Sequence, residues 1–257
     1  MITANRRRFL TLAAAGLATP ALPRFAAADV WPKDKTIRAL VPFTAGSTID
    51  ILGRIVLDPL SRQLGQTIVI ENRGGAGGSI GSAQVAKADP DGYTLLINAA
   101  AHSGAPAAYP NLSYDAAKHF SCAACFGNVP NVLLMAPEKG IKNIKDFVAK
   151  AKKTNMTFGS AGVGSATHWA AERFLVSAGI KATHVPFRGG PEALTEVMTG
   201  RVDFVFIGIS SGLPFIQDGR MVPLAVSSAK RCHRCRTCRP RPKPATRTPT
   251  TFTGPAC

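Results

Sequence analysis

Short apolar runs alternate along this chain with longer stretches in which apolar residues recur every three or four positions. Residues 37–42 read as a strand, and residues 48–64 carry helical spacing through Ile51, Ile55, Leu60 and Leu64. A strand follows at 67–71. An alanine-rich helix at 79–88 stops before the turn cluster Asp89-Pro90-Asp91-Gly92, and a strand occupies 94–98. The alternation resumes with a strand at 132–136, a helix at 144–153 and a short strand at 157–159. A helix at 167–178 is stopped by Gly179, a strand lies at 183–185, and a helix at 192–199 is stopped by Gly200. Residues 202–209 form a nearly continuous apolar strand. This order predicts βαβ units whose parallel sheets are covered on both faces. Such sheets take ligands beyond the carboxyl ends of their strands, so the loops at those ends are the places to look.

Four loops meet that description. Thr44-Ala45-Gly46-Ser47-Thr48 opens the first helix, and its N–H groups with the Ser47 and Thr48 hydroxyls can cap that helix or hold a carboxylate. The run RGGAGGSIG at 73–81 lacks the Lys-Ser/Thr of a Walker loop, and Ile80 stands where a G-x-G-x-x-G pattern needs glycine. It reads as a glycine-rich turn into a helix. The third loop, GSAGVGSATH at 159–168, offers hydroxyls from Ser160, Ser165 and Thr167. Gly162 and Gly164 admit close approach of the backbone, and His168 falls in the first turn of the next helix, placed to cap or to donate to an anion. The fourth, Gly208-Ile209-Ser210-Ser211-Gly212, formally matches the G-x-S-x-G nucleophile elbow. A triad would need an acid and a histidine after the serine, and only Asp218 and His233 follow Ser210. No H-x-x-x-H or paired-carboxylate pattern supplies a metal or glycosidase mechanism. These loops suit capture of a small anion without chemistry done on it, and no cofactor is expected.

The net charge of +16 invites a nucleic-acid reading, but its distribution does not support one. Residues 1–28 and 231–257 are rich in Arg and lack acids, leaving a mildly basic body between two basic ends. No aromatics interleave with the basic residues in the manner of a nucleic-acid-binding module. The first end reads as an export signal (1–28): Arg6-Arg7-Arg8-Phe9-Leu10, then an apolar stretch and an Ala26-Ala27-Ala28 exit before Asp29. The paired arginines suggest the twin-arginine route, while Asn5 and Thr11 leave the general secretory route open. Cys122 and Cys125 lie in an apolar run and precede the turn Gly127-Asn128-Val129-Pro130 instead of a helix, which predicts two buried thiols in place of a redox pair.

The ordered motifs resemble the periplasmic solute-binding proteins of tripartite tricarboxylate transporters, the Bug family, over about residues 1–231. The landmarks are Val41-Pro42-Phe43, Gly46, Asp50 and Arg54; Glu71-Asn72-Arg73, Gly75-Ala76-Gly77-Gly78 and Ile80-Gly81; and Pro90-Asp91-Gly92-Tyr93-Thr94-Leu95. They continue through Gly159–Gly162, Gly164-Ser165 and His168, then His184-Val185-Pro186-Phe187, Gly200, Val202-Asp203 and 224–231. The resemblance implies an α/β, two-lobed Venus-flytrap of the periplasmic-binding-protein type II-like architecture. Lobe one would span 29–127 and lobe two 128–230, joined by crossing strands. It implies a small carboxylate held by N–H groups, hydroxyls and waters, delivered to membrane permease subunits by a monomer in the periplasm. The loop residues carrying that role would be Ala45, Gly46, Ser47 and Thr48 with Ser160, Gly164, Ser165, Thr167 and His168, and more weakly Ser103 and Asp203. Ser47 departs from the family, where a second glycine is common. His102 and Arg188 would flank the cleft or simply be solvated.

Beyond residue 231 the chain contains no Leu, Ile, Val, Met, Asp or Glu, and the family's C-terminal return to lobe one is missing. Residues 231–257 read as an out-of-frame, disordered tail. Its Cys232-x-x-Cys235-x-x-Cys238 run lacks a second ligand pair for zinc. Two further readings follow: a secreted serine esterase using Ser210, and a truncated chain without function.

Overall fold

Ser47 and Gly65 bracket the first helix with the chemistry a helix end demands. The Ser47 hydroxyl accepts the Asp50 N–H, and Gly65 turns the chain out at φ 63°. The computed structural model describes residues 31–228 and the backbone of Arg239–Pro240. The export-signal reading and most of the tail reading therefore lie outside the described residues. Among them, the order is β1 (Ile37–Val41), α1 (Thr48–Leu64), β2 (Ile68–Asn72), α2 (Ser79–Ala86), β3 (Thr94–Leu96) and α3 (Ala100–Ala108). Then come β4 (Asn131–Met135), α4 (Ile144–Ala151), β5 (Met156–Ser160), α5 (Ala166–Ala178), β6 (Ala182–Pro186) and α6 (Gly190–Met198). β7 (Phe204–Gly208), α7 (Ile209–Gln217), β8 (Val222–Val226) and β9 (Arg239–Pro240) complete it.

The strands form two sheets, one to each lobe. Lobe one holds the order β2-β1-β3, all parallel, and lobe two the order β6-β5-β7-β4-β8-β9. Within lobe two β4 runs antiparallel to both neighbours, and β9 lies parallel beside β8. Residues 109–130, which pass from one sheet to the other, contain no helix or strand.

Pleat parity explains why the apolar run of β7 had no polar alternation. Phe204 and Phe206 face a core shared with Phe147, Phe158 and Phe174. Val205 and Ile207 face the opposite core with Leu194, Val197 and Met221. A strand buried on both faces has no reason to alternate. A third core lies in lobe one around Val41, Phe43, Leu57 and Ile97, and it takes in Ala161 from lobe two.

The buried-thiol expectation is corrected here. Cys122 and Cys125 are exposed, as is Phe126. The apolar run at 120–126 joins no sheet, and only its first residue, Phe120, is half-buried, packed edge-on against His102 and Tyr114.

Candidate functional site

The loop after β1 is built around one buried carboxylate. Asp50, 2% exposed, stands in the first turn of α1. It accepts the Gly46 N–H at 2.9 Å, the Arg54 Nε–H at 3.1 Å and the Asn72 Nδ2–H at 3.0 Å. Asn72 Nδ2 also donates to the Phe43 carbonyl at 3.0 Å, tying the loop to the end of β2. Burial raises the Asp50 carboxyl pKa, but the Arg54, Gly46 and Asn72 donors and the Arg54 charge outweigh it and hold the group below its ordinary value.

The loop after β5 is laced by its own hydroxyls. Ser160, fully buried, accepts the Gly162 N–H at 3.0 Å and lies 2.6 Å from His184 Nε2. Ser165 caps α5 by accepting the His168 N–H, and Thr167 accepts the Ala161 N–H at 2.9 Å. His168 Nδ1 accepts the Gly164 N–H at 3.2 Å, and the Gly164 carbonyl accepts the Trp169 Nε1–H at 2.9 Å. The His168 and His184 rings stack 4.2 Å apart, and Phe158 lies 4.8 Å from His184 and 6.3 Å from His168. Burial lowers both histidine pKa values. Glu172 partly opposes it at His168, and the neighbouring His168 helps to push His184 down to about 4.

At neutral pH both rings are thus uncharged in the folded state, and linkage gives the sign. Above the ordinary value of 6.5 the stabilising effect is fully present. As pH falls from there towards about 4, the unfolded chain takes protons that the folded chain refuses, and stability drops. The slope is at most about 1.4 kcal/mol per pH unit per histidine, less what partial solvent exposure screens. Urea midpoints are expected to fall between pH 7 and pH 5; equal midpoints would remove the histidine pair from the account.

The lobes meet on these loops along two seams. On one, Thr48 Oγ1 and Ser211 Oγ lie 3.0 Å apart, and Ser211 Oγ–H donates to the Gly46 carbonyl at 3.2 Å. On the other, the Tyr109 hydroxyl donates to the Val163 carbonyl at 2.9 Å. There a methyl on Gly74 would reach within 2.8 Å of the Arg188 carbonyl, and one on Gly162 within 2.9 Å of the Gly77 nitrogen. The first turns of α1, α5, α6 and α7 all open onto these seams: Thr48 against Gly208, Gly77 against Ser165, and Gly46 against Pro191. Helix N-termini from both lobes therefore converge, each contributing N–H groups and a partial positive charge.

The nominated residues divide in three. Ala45, Gly46, Ser47 and Thr48 sit on the seam from lobe one, though the Gly46 N–H is taken by Asp50 and the Ser47 oxygen by its own helix. Ser160, Gly164, Ser165, Thr167 and His168 lie together after β5, with polar groups engaged by one another and by His184. Ser103 and Asp203 stand apart. The Ser103 hydroxyl is exposed and donates back to the Ala100 carbonyl. Asp203 binds Thr157 and Lys139 at the amino end of β5, opposite the glycine loop at 159–168, because topology sets which end of β7 it occupies. His102 Nε2 meets the Ala116 carbonyl at 3.0 Å, and Arg188 is exposed. Thr44 of the first loop and Ser210 of the G-x-S-x-G match are not among the nominated ligand contacts. Their Oγ atoms are buried without a hydrogen-bond partner beside the seams. Ser210 therefore has no base in contact, and Asp218 is paired with Arg220 at the far end of α7. Among the described residues no cluster of potential metal ligands occurs, and no helix is long and apolar enough to cross a membrane.

A family model described as tripartite tricarboxylate transporter family receptor matches residues 52–239. A UPF0065 protein from the ttuE–ttuC′ intergenic region of Agrobacterium vitis is 38% identical over 69% of this chain and 51% of its own length. The chain thus spans about half the length of that relative. Among solved structures, the periplasmic binding protein BugD is 30% identical with a TM-score of 0.72, covering 77% of this chain and 67% of its own. A Rhodopseudomonas palustris protein solved with adipate is 32% identical with a TM-score of 0.75, covering 78% of this chain and 68% of its own.

Proposed function

The chain belongs to the tripartite tricarboxylate transporter receptor family, and on that premise we propose that it captures a small carboxylate between its lobes and hands it to the membrane permease of such a transporter. The observation that carries the reading is the convergence of four helix N-termini, from both lobes, on seams made of glycine backbone and short hydroxyls. Such a site neutralises a carboxylate with N–H dipoles without needing an ion pair. Adipate in the R. palustris relative and the periplasmic description of BugD agree with a dicarboxylate or similar acid as guest and the periplasm as workplace. In this reading 1–28 is a cleaved export signal and the chain acts as a monomer.

The orphaned Thr44 and Ser210 hydroxyls are the side chains nominated to touch the guest. The experiment is a thermal-melt screen of the full chain against mono- and dicarboxylates, with a sugar and an amine as controls. A guest at a hundred times its Kd stabilises the fold by about 2.7 kcal/mol, so melting temperature should rise with a carboxylate alone. No hydrolysis of p-nitrophenyl esters is expected, and Ser210→Ala should leave that background unchanged. A screen without a responding carboxylate counts against the reading, and ester turnover lost in Ser210→Ala would revive a serine esterase.

A further inference from the structure

We propose that His168 is a positioning residue whose proton controls the glycine loop at Gly164, so that guest capture weakens as the surroundings acidify; this rests on the carboxylate-capture reading. Gly164 is held from three sides. Its N–H donates to His168 Nδ1 at 3.2 Å, and its carbonyl accepts from Trp169 Nε1 at 2.9 Å. A methyl on it would stand 2.7 Å from Ala108 Cβ, across the seam in lobe one. The first contact requires a bare Nδ1, which places the proton of the neutral ring on Nε2, 3.7 Å from the Glu172 carboxylate.

The groups facing this ring are few. His184 on β6 stacks at 4.2 Å, Phe158 on β5 stacks at 6.3 Å, and Trp169 and Glu172 come from α5 itself. A proton arriving at Nδ1 turns the acceptor of the Gly164 N–H into a donor pointing at a donor. It also sets a cation against the face of His184, with the half-exposed Glu172 carboxylate at 3.7 Å as its counter-charge among the described residues. The loop then releases Gly164, and with it the lobe-two side of the seam. His184 does not share this sensitivity. Its partner is the Ser160 hydroxyl, which can donate to a bare Nε2 or accept from a protonated one.

The test follows the Gly164 amide by ¹⁵N NMR in the full chain from pH 7.5 to pH 5, with His168→Asn alongside. Asparagine keeps an acceptor oxygen near the Nδ1 position and does not titrate. In the native chain the amide should shift and lose protection from exchange with the His168 ring's own midpoint, below 6.5. In His168→Asn it should stay flat. Glu172→Gln should lower the native midpoint, which a purely structural histidine would not feel. Adipate affinity by calorimetry should fall by up to about tenfold per pH unit in the native chain and less steeply in His168→Asn. An amide indifferent to the ring's titration, or identical pH profiles in the two chains, would overturn the proposal. If adipate and the other carboxylates bind neither chain at any pH, the capture reading fails, while the amide titration still decides the role of His168.

Discussion

Gly77→Ala is expected to fold and to lose closure. Gly77 holds φ 60° and ψ 20°, and a methyl there would overlap the Val163 carbonyl oxygen of the other lobe while lying 3.1 Å from its carbon. Alanine tolerates the left-handed backbone at a cost of about 1 to 2 kcal/mol, so lobe one survives. The overlap is with main chain, which no rotamer change can move aside, and it is relieved only by parting the lobes. Carboxylate affinity should fall about 100-fold or more, equivalent to about 2.7 kcal/mol against the closed form. Small-angle scattering should show no compaction when adipate is added. Gly65→Ala is the control: its φ is 63°, and nothing lies within 4 Å of the added methyl. If both variants bind adipate as the native chain does, the seam is not the closing surface.

Asp50→Ala should carry the largest loss of stability among single changes in the loops. It strips a buried acceptor from the Gly46 N–H, from Asn72 Nδ2 and from Arg54. Arg54 is 47% exposed and regains water, Gly46 is exposed, and Asn72 is half-buried with its Nδ2 still bonded to the Phe43 carbonyl. Losing the shared acceptor costs about 1 to 3 kcal/mol. Urea denaturation at pH 7 measures it, and a loss under 1 kcal/mol would show that water fills the site. The sign with pH is fixed by the lowered pKa. The carboxylate's contribution is present above the ordinary value of 3.8 and fades as pH falls through its depressed one. The difference between native and variant should therefore shrink in strong acid.

The elements that could be read from the residues were those whose boundaries are set locally. α1 begins and ends where Ser47 and Gly65 say it should, and β7 was recognisable because burial on both faces leaves an unbroken apolar run. α3 was invisible. Its sequence AAHSGAPAA has no apolar periodicity and includes Pro106, and its small residues make sense only once Trp169 packs against Gly104. β8 escaped for a similar reason, since Pro223 interrupts a short run whose pairing with β4 comes from far along the chain. The site divides in the same way. The loops were legible because glycine and hydroxyl residues follow strand ends. What each hydroxyl does was not, because the partners of Ser160, Thr48 and Asp203 are His184, Ser211 and Lys139, set by tertiary contact.

The lobe-to-lobe contacts engage backbone, glycine and the Thr48–Ser211 pair, and the orphaned Thr44 hydroxyl lies among them against Gly189 of lobe two, whereas the orphaned Ser210 hydroxyl makes no hydrogen bond across them. At Ser210, tuning and choosing are therefore independent. A substitution in the seam changes the fraction of molecules able to shut, and so multiplies the apparent Kd of every acid by one common factor. A substitution at Ser210 alters the order in which acids are preferred, and one at Thr44, packed against Gly189, changes both. Affinity ratios across a set of acids, taken for both kinds of variant, would separate the hinge of the trap from its taste.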